Sequence, residues 1–389
     1  MRVCIKGSNM TGMRGDCCPA GTTSEAASKG HLDCLRLAVE AGVLSDGEPD
    51  SCPWSVSTTS EAAHNGHLEC LRYAVEAGCP WGGYTTSAAA AGGHLECLRF
   101  AVEAGCPWHS QTTWAAAEGG HLDCLRYAAE ADCPWSGSTT WAAACNGHLD
   151  CLRYAVEAGC PWDDNTTCAA ARYGHLDCLR YAAEADCPWD GNTTWAAAAG
   201  GHLECLRCAV EAGCPWDPST TCAAAMNGHL ECLRFAMEAG CPCSADTTYA
   251  AASGGHLECL RFAVEAGFSW SAYTTYAAAA YGHLECLRYA VEAGCPWSAG
   301  TTYAAAAFDH LDCLRYVVLV GGSVDFHLST LPTCAGRAWL EAAQHGSNAI
   351  KAAWKASRRR RIVISALCLN RLLPREVVSL VLRSSIVLP

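Results

Sequence analysis

Phenylalanine and methionine are scarce in this chain, six and five among 389 residues. Hydrophobic residues still make up 51%, so alanine and 30 cysteines carry much of that fraction. The shortage of large apolar side chains argues against the two or three thick-cored domains that the length alone would allow. Charged residues are 17%, below the roughly 25% of an average soluble chain. There is no apolar run of the roughly 18 residues that a membrane helix needs, so no membrane partner is expected. The opening MRVCIKGSNMTGMRGDCCPAG has no apolar stretch of the signal-peptide kind, so secretion is not expected and a cytoplasmic location is. Walker loops, nucleophile elbows and HExxH are all missing. No catalytic centre or cofactor is therefore expected, and the chain is read as not an enzyme.

The net charge of −13 disfavours nucleic acid as a partner. Its distribution is uneven. Ile350 to Pro389 holds nine Lys or Arg and one acid, or +8, so the remainder carries −13 − 8 = −21. A basic end joined to an acidic body suggests two functional parts.

What the chain does have is a repeat. The string Gly-His-Leu-(Asp/Glu)-Cys-Leu-Arg recurs eleven times, with histidines at His31, His67, His94, His121, His148, His175, His202, His229, His256, His283 and His310. From His67 onward the interval is 27 residues, and Asp309 replaces the glycine in the last copy. Such a period is the mark of a stacked-repeat architecture. One unit reads TTWAAAAGGHLECLRCAVEAGCPWDPS from Thr193. It predicts a short first helix over Thr193–Gly200, with threonine as N-cap and alanines that admit a close neighbour. A second helix is predicted over His202–Ala212, with Leu203, Leu206 and Val210 on its apolar face. Glu204, Arg207 and Glu211 form a solvated ladder on another face. Gly213 ends the helix in a left-handed conformation, and Asp132 and Asp186 take that place in two copies. Trp216 is expected to fold back onto the seam between helix pairs.

These residues resemble the ankyrin repeat. Ala197-Ala198, Gly201-His202, Leu206 and Gly213 fall in that family's register. The closer likeness is to short, cysteine- and tryptophan-rich ankyrin-like repeats of protists, algae and giant viruses. The ankyrin period is roughly 33 residues. The residues missing here lie between the tryptophan and the next threonine, where ankyrin units carry a hairpin finger. The resemblance implies an all-α, ankyrin-like helix-pair solenoid of about eleven repeats, with fingers absent or vestigial and a helical C-terminal cap. The expected divisions are an N-terminal tail at 1–21, the solenoid at 22–319, a degenerate capping repeat at 320–349 and a basic, apolar helical segment at 350–389.

Eleven cysteines follow the repeat histidine by three residues, and nine more precede the proline–tryptophan pair or its variant. Histidine and cysteine at i, i+3 share a helix face, which admits a metal or redox reading. Both positions also match small core sites of ankyrin units, and reduced cysteine behaves as a small hydrophobe. Core filling is the reading adopted here, with no metal.

Some positions vary from unit to unit and are the candidates for partner binding. Seven residues before the histidine stand Trp114, Trp141, Trp195, Tyr249, Tyr276 and Tyr303, among others. Three residues before it, one helical turn on, stand Glu118 and Arg172. The resemblance places this face on the concave side. Tryptophan and tyrosine are favoured at binding hot spots, and the competing reading is that these rings pack between neighbouring helices. The three residues after each loop tryptophan vary too, as in Asp163-Asp164-Asn165 against Ser271-Ala272-Tyr273, and the expected function is a scaffold that binds a protein partner through the concave first-helix face and the inter-repeat loops.

Lys355 and Arg358 to Arg361 read as the solvated start of a helix, with a nuclear signal as the second reading. Leu373, Pro374, Glu376 and Val377 resemble the opening of an F-box. That implies, as an alternative function, a substrate adaptor docking a Skp1-type ligase component. A plain capping helix with proline at its first turn accounts for the same residues.

Overall fold

The computed structural model describes residues 23–40, 54–55, 57–189, 191–244 and 246–320, together with 336, 337 and 340. The tail at 1–21, nearly all of 320–349 and the whole of 350–389 lie outside them. The described residues form eleven helix pairs and no strand. The series runs from Thr23–Ser28 with Leu32–Glu40 to Thr301–Ala307 with Leu311–Leu319. The fold is an all-α repeat solenoid, and no hairpin finger occurs among the described residues. By packing it divides into two units, Met1–Ala170 with Asp177–Pro188, and Ala171–Leu176 with Trp189–Pro389.

Both helices of a pair are short, so each end must be closed by the sequence. Gly213 sits at φ 81°, its N–H bonds Val210 O at 3.0 Å and the Cys214 N–H bonds Ala209 O at 2.9 Å. That is a Schellman motif, which satisfies the last carbonyls. Asp132 and Asp186 take the same conformation at φ 57° and 54°.

Within each unit, first helices pack on first helices far more closely than second helices pack on second. The cause is size. Ala196, Ala197 and Ala198 are fully buried, so adjacent backbones approach each other. On the second helix the buried set is Cys205, Leu206 and Ala209. Leu203 and Val210, expected in the core, are only half-buried. The narrow side chains let the neighbouring pair close over Leu206 instead. Each such leucine, 0% exposed from Leu35 to Leu314, contributes about 1.5–3 kcal/mol.

The threonines are not N-caps. No side-chain cap bond forms at Ser138, which precedes Thr139 and Thr140, and both threonines are fully buried. They join one repeat to the next. Thr139 Oγ1 donates to Ser136 O at 2.9 Å. Its proton is thereby used, so the 3.0 Å contact between Thr113 and Thr139 must be donated by Thr113. Thr113 Oγ1 in turn accepts the Ser136 N–H at 2.9 Å. Every hydroxyl in this relay is satisfied, and the pattern recurs at Thr59–Thr85 and Thr86–Thr112 in the first unit and at Thr275–Thr301 in the second.

The repeat histidine makes a second joint. His148 Nε2 lies 3.1 Å from Glu118 O, at the end of the preceding first helix. His67, His121 and His283 do the same to Ser28, Ala91 and Ser253. A carbonyl only accepts, so Nε2 carries the proton. The imidazole lies over the glycine of the preceding repeat. A Cβ on Gly120, itself at φ 72°, would come within 2.5 Å of His148 Nδ1. Asp309 adopts φ 64° at this place, and its carboxylate accepts the Gly336 N–H.

Two outcomes follow from these joints. Thr113→Val leaves the Ser136 N–H without its acceptor and should cost about 1–3 kcal/mol. Hydrogen exchange at the Ser136 amide should accelerate about tenfold or more in that variant and stay near wild type in Thr113→Ser. Equal exchange in all three proteins would contradict the relay. Burial, and for His94 and His256 next the neighbouring repeat histidines, lowers His94, His202 and His256 below the ordinary 6.5. Above that value the rings are neutral in folded and unfolded chains alike. As pH falls through it, the unfolded chain takes up protons that the folded one resists. The urea midpoint should therefore decline as pH drops from about 7.5 to about 5.5, and a flat profile would contradict this.

Candidate functional site

The side chains that vary between repeats sit on the tight, first-helix face of each unit. Their backbone is held by the threonine relay on one end and the histidine bond on the other. Trp114, Trp141, Trp195, Tyr249 and Tyr276 are half-buried, and Tyr303 is 36% exposed. Each ring therefore packs against its neighbours and also presents surface. Glu118 and Arg172 are exposed.

In the first unit Trp114 and Trp141 line an open cavity of about 380 Å³. Gln111, Ser136, Ser138, Asp163 and Asn165 complete its wall. In the second unit Tyr249 and Tyr276 line another of about 460 Å³, with Cys222, Met226, Asp246 and Tyr273 in its wall. Both cavities thus combine first-helix aromatics with residues of the preceding turns. Also in the second unit, the Arg172 guanidinium stands 5.4 Å from the Trp195 ring centroid. Several exposed rings escaped the sequence reading. Tyr84 is 64% exposed and Phe308 is 59%, while Tyr273, 62% exposed, belongs to the variable residues that follow the loop tryptophan. The signal for the other two was available, since Tyr84 directly precedes a threonine pair and Phe308 stands two residues before its histidine.

The opposite face is built differently from the solvated ladder expected there. Arg207 does reach Glu204, at 3.6 Å. It also lies over Phe235 of the next repeat, 4.8 Å from the centroid. In the first unit Tyr127 receives Arg99 at 5.5 Å and the loop tryptophan Trp108 at 6.4 Å, both from the preceding repeat. Trp108 and Trp162 pack on the seam in this way. The missed signal was the Tyr or Phe standing six residues after nearly every repeat histidine. The arginine contacts are cation–π pairs of about 0.5–1 kcal/mol at exposed sites.

Most of the described cysteines occupy the core. Cys97, Cys124 and Cys151 are 1–2% exposed, and Cys106, Cys133 and Cys160 are 4–6%. Burial pushes the Cys97, Cys106 and Cys151 thiols up to about 11 and Cys124 up to about 12. Among the described residues no group of three or more His, Cys, Asp or Glu is placed to hold a metal ion, and no helix is long and apolar enough to cross a membrane. Leu373, Pro374, Glu376, Val377 and the run Arg358–Arg361 lie outside the described residues. At about pH 8 a thiol with a pKa of about 11 is thiolate in roughly one molecule in a thousand. A thiol reagent should therefore label the exposed Cys243 rapidly and the second-helix cysteines only on unfolding. Rapid native labelling of Cys124 or Cys151 would contradict their place in the core.

No protein-family model matches this sequence, and comparison with curated proteins gives no match. Among solved structures the chain is similar to the crystal structure of the human ASB11 ankyrin repeat domain. The identity is 20%, the TM-score is 0.35, and the match covers 43% of this chain and 84% of that one. Eleven helix pairs, spaced 27 residues apart from His67 onward, make the described residues an all-α helical repeat.

Proposed function

We propose that this protein is a non-catalytic scaffold that holds a protein partner against its first-helix face and the adjoining turns. The carrying observation is that both cavities are lined by the same repeat position, Trp114 and Trp141 in one unit, Tyr249 and Tyr276 in the other. A frame that repeats its core residues while varying one exposed face suits partner selection, because the face changes without disturbing the packing. The large half-buried rings are of the type that dominates binding energy. The 27-residue period and the recurring Cys-Pro-Trp support a place among the short cysteine- and tryptophan-rich ankyrin-like repeats. The absence of a long apolar run supports a cytoplasmic setting. The ligase-adaptor reading rests on the sequence of Leu373, Pro374, Glu376 and Val377 alone.

The test is affinity purification with mass spectrometry from the native cell, using the full chain and three changed forms. Joint Trp114→Ala, Trp141→Ala, Tyr249→Ala and Tyr276→Ala should remove the partner, since one hot-spot aromatic contributes about 2 kcal/mol or more. Glu157→Gln on the second-helix face should retain it. Retention by the first-helix variant would sink the proposal. Ending the chain at Ser347 should leave the partner bound. Loss of a Skp1-type protein with that truncation alone would assign the tail a docking role.

A further inference from the structure

Arg172 stands three residues before its repeat histidine, and Trp195 seven before the next one. Their contact therefore marks the register at which one first helix meets the following one. Met226 and Tyr249 occupy the same two positions and line one cavity, so this register brings side chains together a second time. The molecule itself displays what settles on an aromatic of this face, namely a guanidinium.

In the first unit the same two positions hold Glu118 and Trp141. A carboxylate stands where the cation stood. Glu118 is exposed, and among the described residues it enters no ion pair. Trp141 also lines the cavity shared with Trp114, which is walled by Asp163 and lined by no basic side chain. Asp163 Oδ1 accepts the Asn165 N–H at 2.9 Å, and its second oxygen enters no hydrogen bond among the described residues. The repeat register thus assigns Glu118 to the same indole whose cavity Asp163 walls, in a part of the chain that is acidic as a whole.

We propose that Trp141, Glu118 and Asp163 form a site for an arginine side chain of the partner. The guanidinium lies on the indole, as Arg172 lies on Trp195, and donates to a flanking carboxylate. Arginine suits the site better than lysine, because its planar, weakly hydrated group stacks on a ring while its edge hydrogen-bonds. The acidic body draws such a segment in by long-range attraction. This assignment rests on the reading of the first-helix face as the partner surface and names the partner's chemistry there.

The experiment is fluorescence polarisation on the full chain at about 0.15 M salt, where attraction between distant exposed charges is screened. The probe is a labelled peptide of three Gly-Ser-Arg triplets, compared with the same peptide carrying glutamine for arginine. The arginine peptide should bind about tenfold or more tightly than the glutamine one. Trp141→Ala and Glu118→Gln should each weaken it by about that factor. Glu157→Gln, an exposed acid on the second helix, should leave it unchanged. Glu118→Gln alters an exposed side chain, so it keeps the test informative if Trp141→Ala fails to fold. Equal affinity for the two peptides, or equal weakening by Glu157→Gln, overturns the assignment. If the native partner is lost on first-helix substitution while the arginine peptide shows no preference, the face stands and the arginine site falls. If the partner ignores every first-helix substitution, the scaffold reading falls with it.

Discussion

The second threonine of one repeat gives its proton to the first threonine of the next and accepts a backbone N–H from the intervening turn. This buried relay is the joint on which the rest of the structure depends. A turn so short leaves a buried N–H with no backbone partner, and a buried donor left alone is costly. The threonine supplies the acceptor from the neighbouring repeat. It thereby sets where each first helix begins and how it is aligned on the one before. The alanines behind it then close the gap between backbones. Hydroxyl and methyl together explain why Thr-Thr recurs so faithfully: serine would keep the bonds, valine the packing, and neither both.

The second-helix side is tied by longer reaches. The histidine crosses to the end of the previous first helix and covers its glycine, and the arginine crosses to the next aromatic. None of these residues interacts chiefly within its own pair. A lone pair has alanines, one leucine and two small thiols to bury, too little to offset the entropy of ordering it. Stability therefore comes as interfaces between neighbours. The cysteines fit this economy of space, since their raised thiol pKa values follow from burial and leave them as small apolar fillers.

On this frame the side chains seven and three residues before each histidine are free to differ. They stand on the tighter face of each unit, the rings mostly half-buried and Glu118 and Arg172 exposed, on a rigid backbone. Rigid presentation lowers the ordering cost of binding. Where Arg172 meets Trp195 the face answers its own aromatic with a cation. Where Glu118 and Trp141 hold the same two positions it presents the opposite charge instead.

Much of this was legible from the residues alone. The 27-residue period, the two helices, their glycine stops and the cysteine core all rest on local rules, such as left-handed caps and the small volume of a thiol. So did the position of the aromatic row, because residues seven and three before each histidine share a face by helical period alone. What only the tertiary structure decided were the partners across the seam. Threonine read as a cap becomes a relay, arginine read as solvated lies on a ring, and Leu203 yields the core to Cys205 and Ala209. A period along one chain fixes which residues share a face. It does not say which residue 27 positions away that face meets, since that depends on how closely small side chains let two backbones approach.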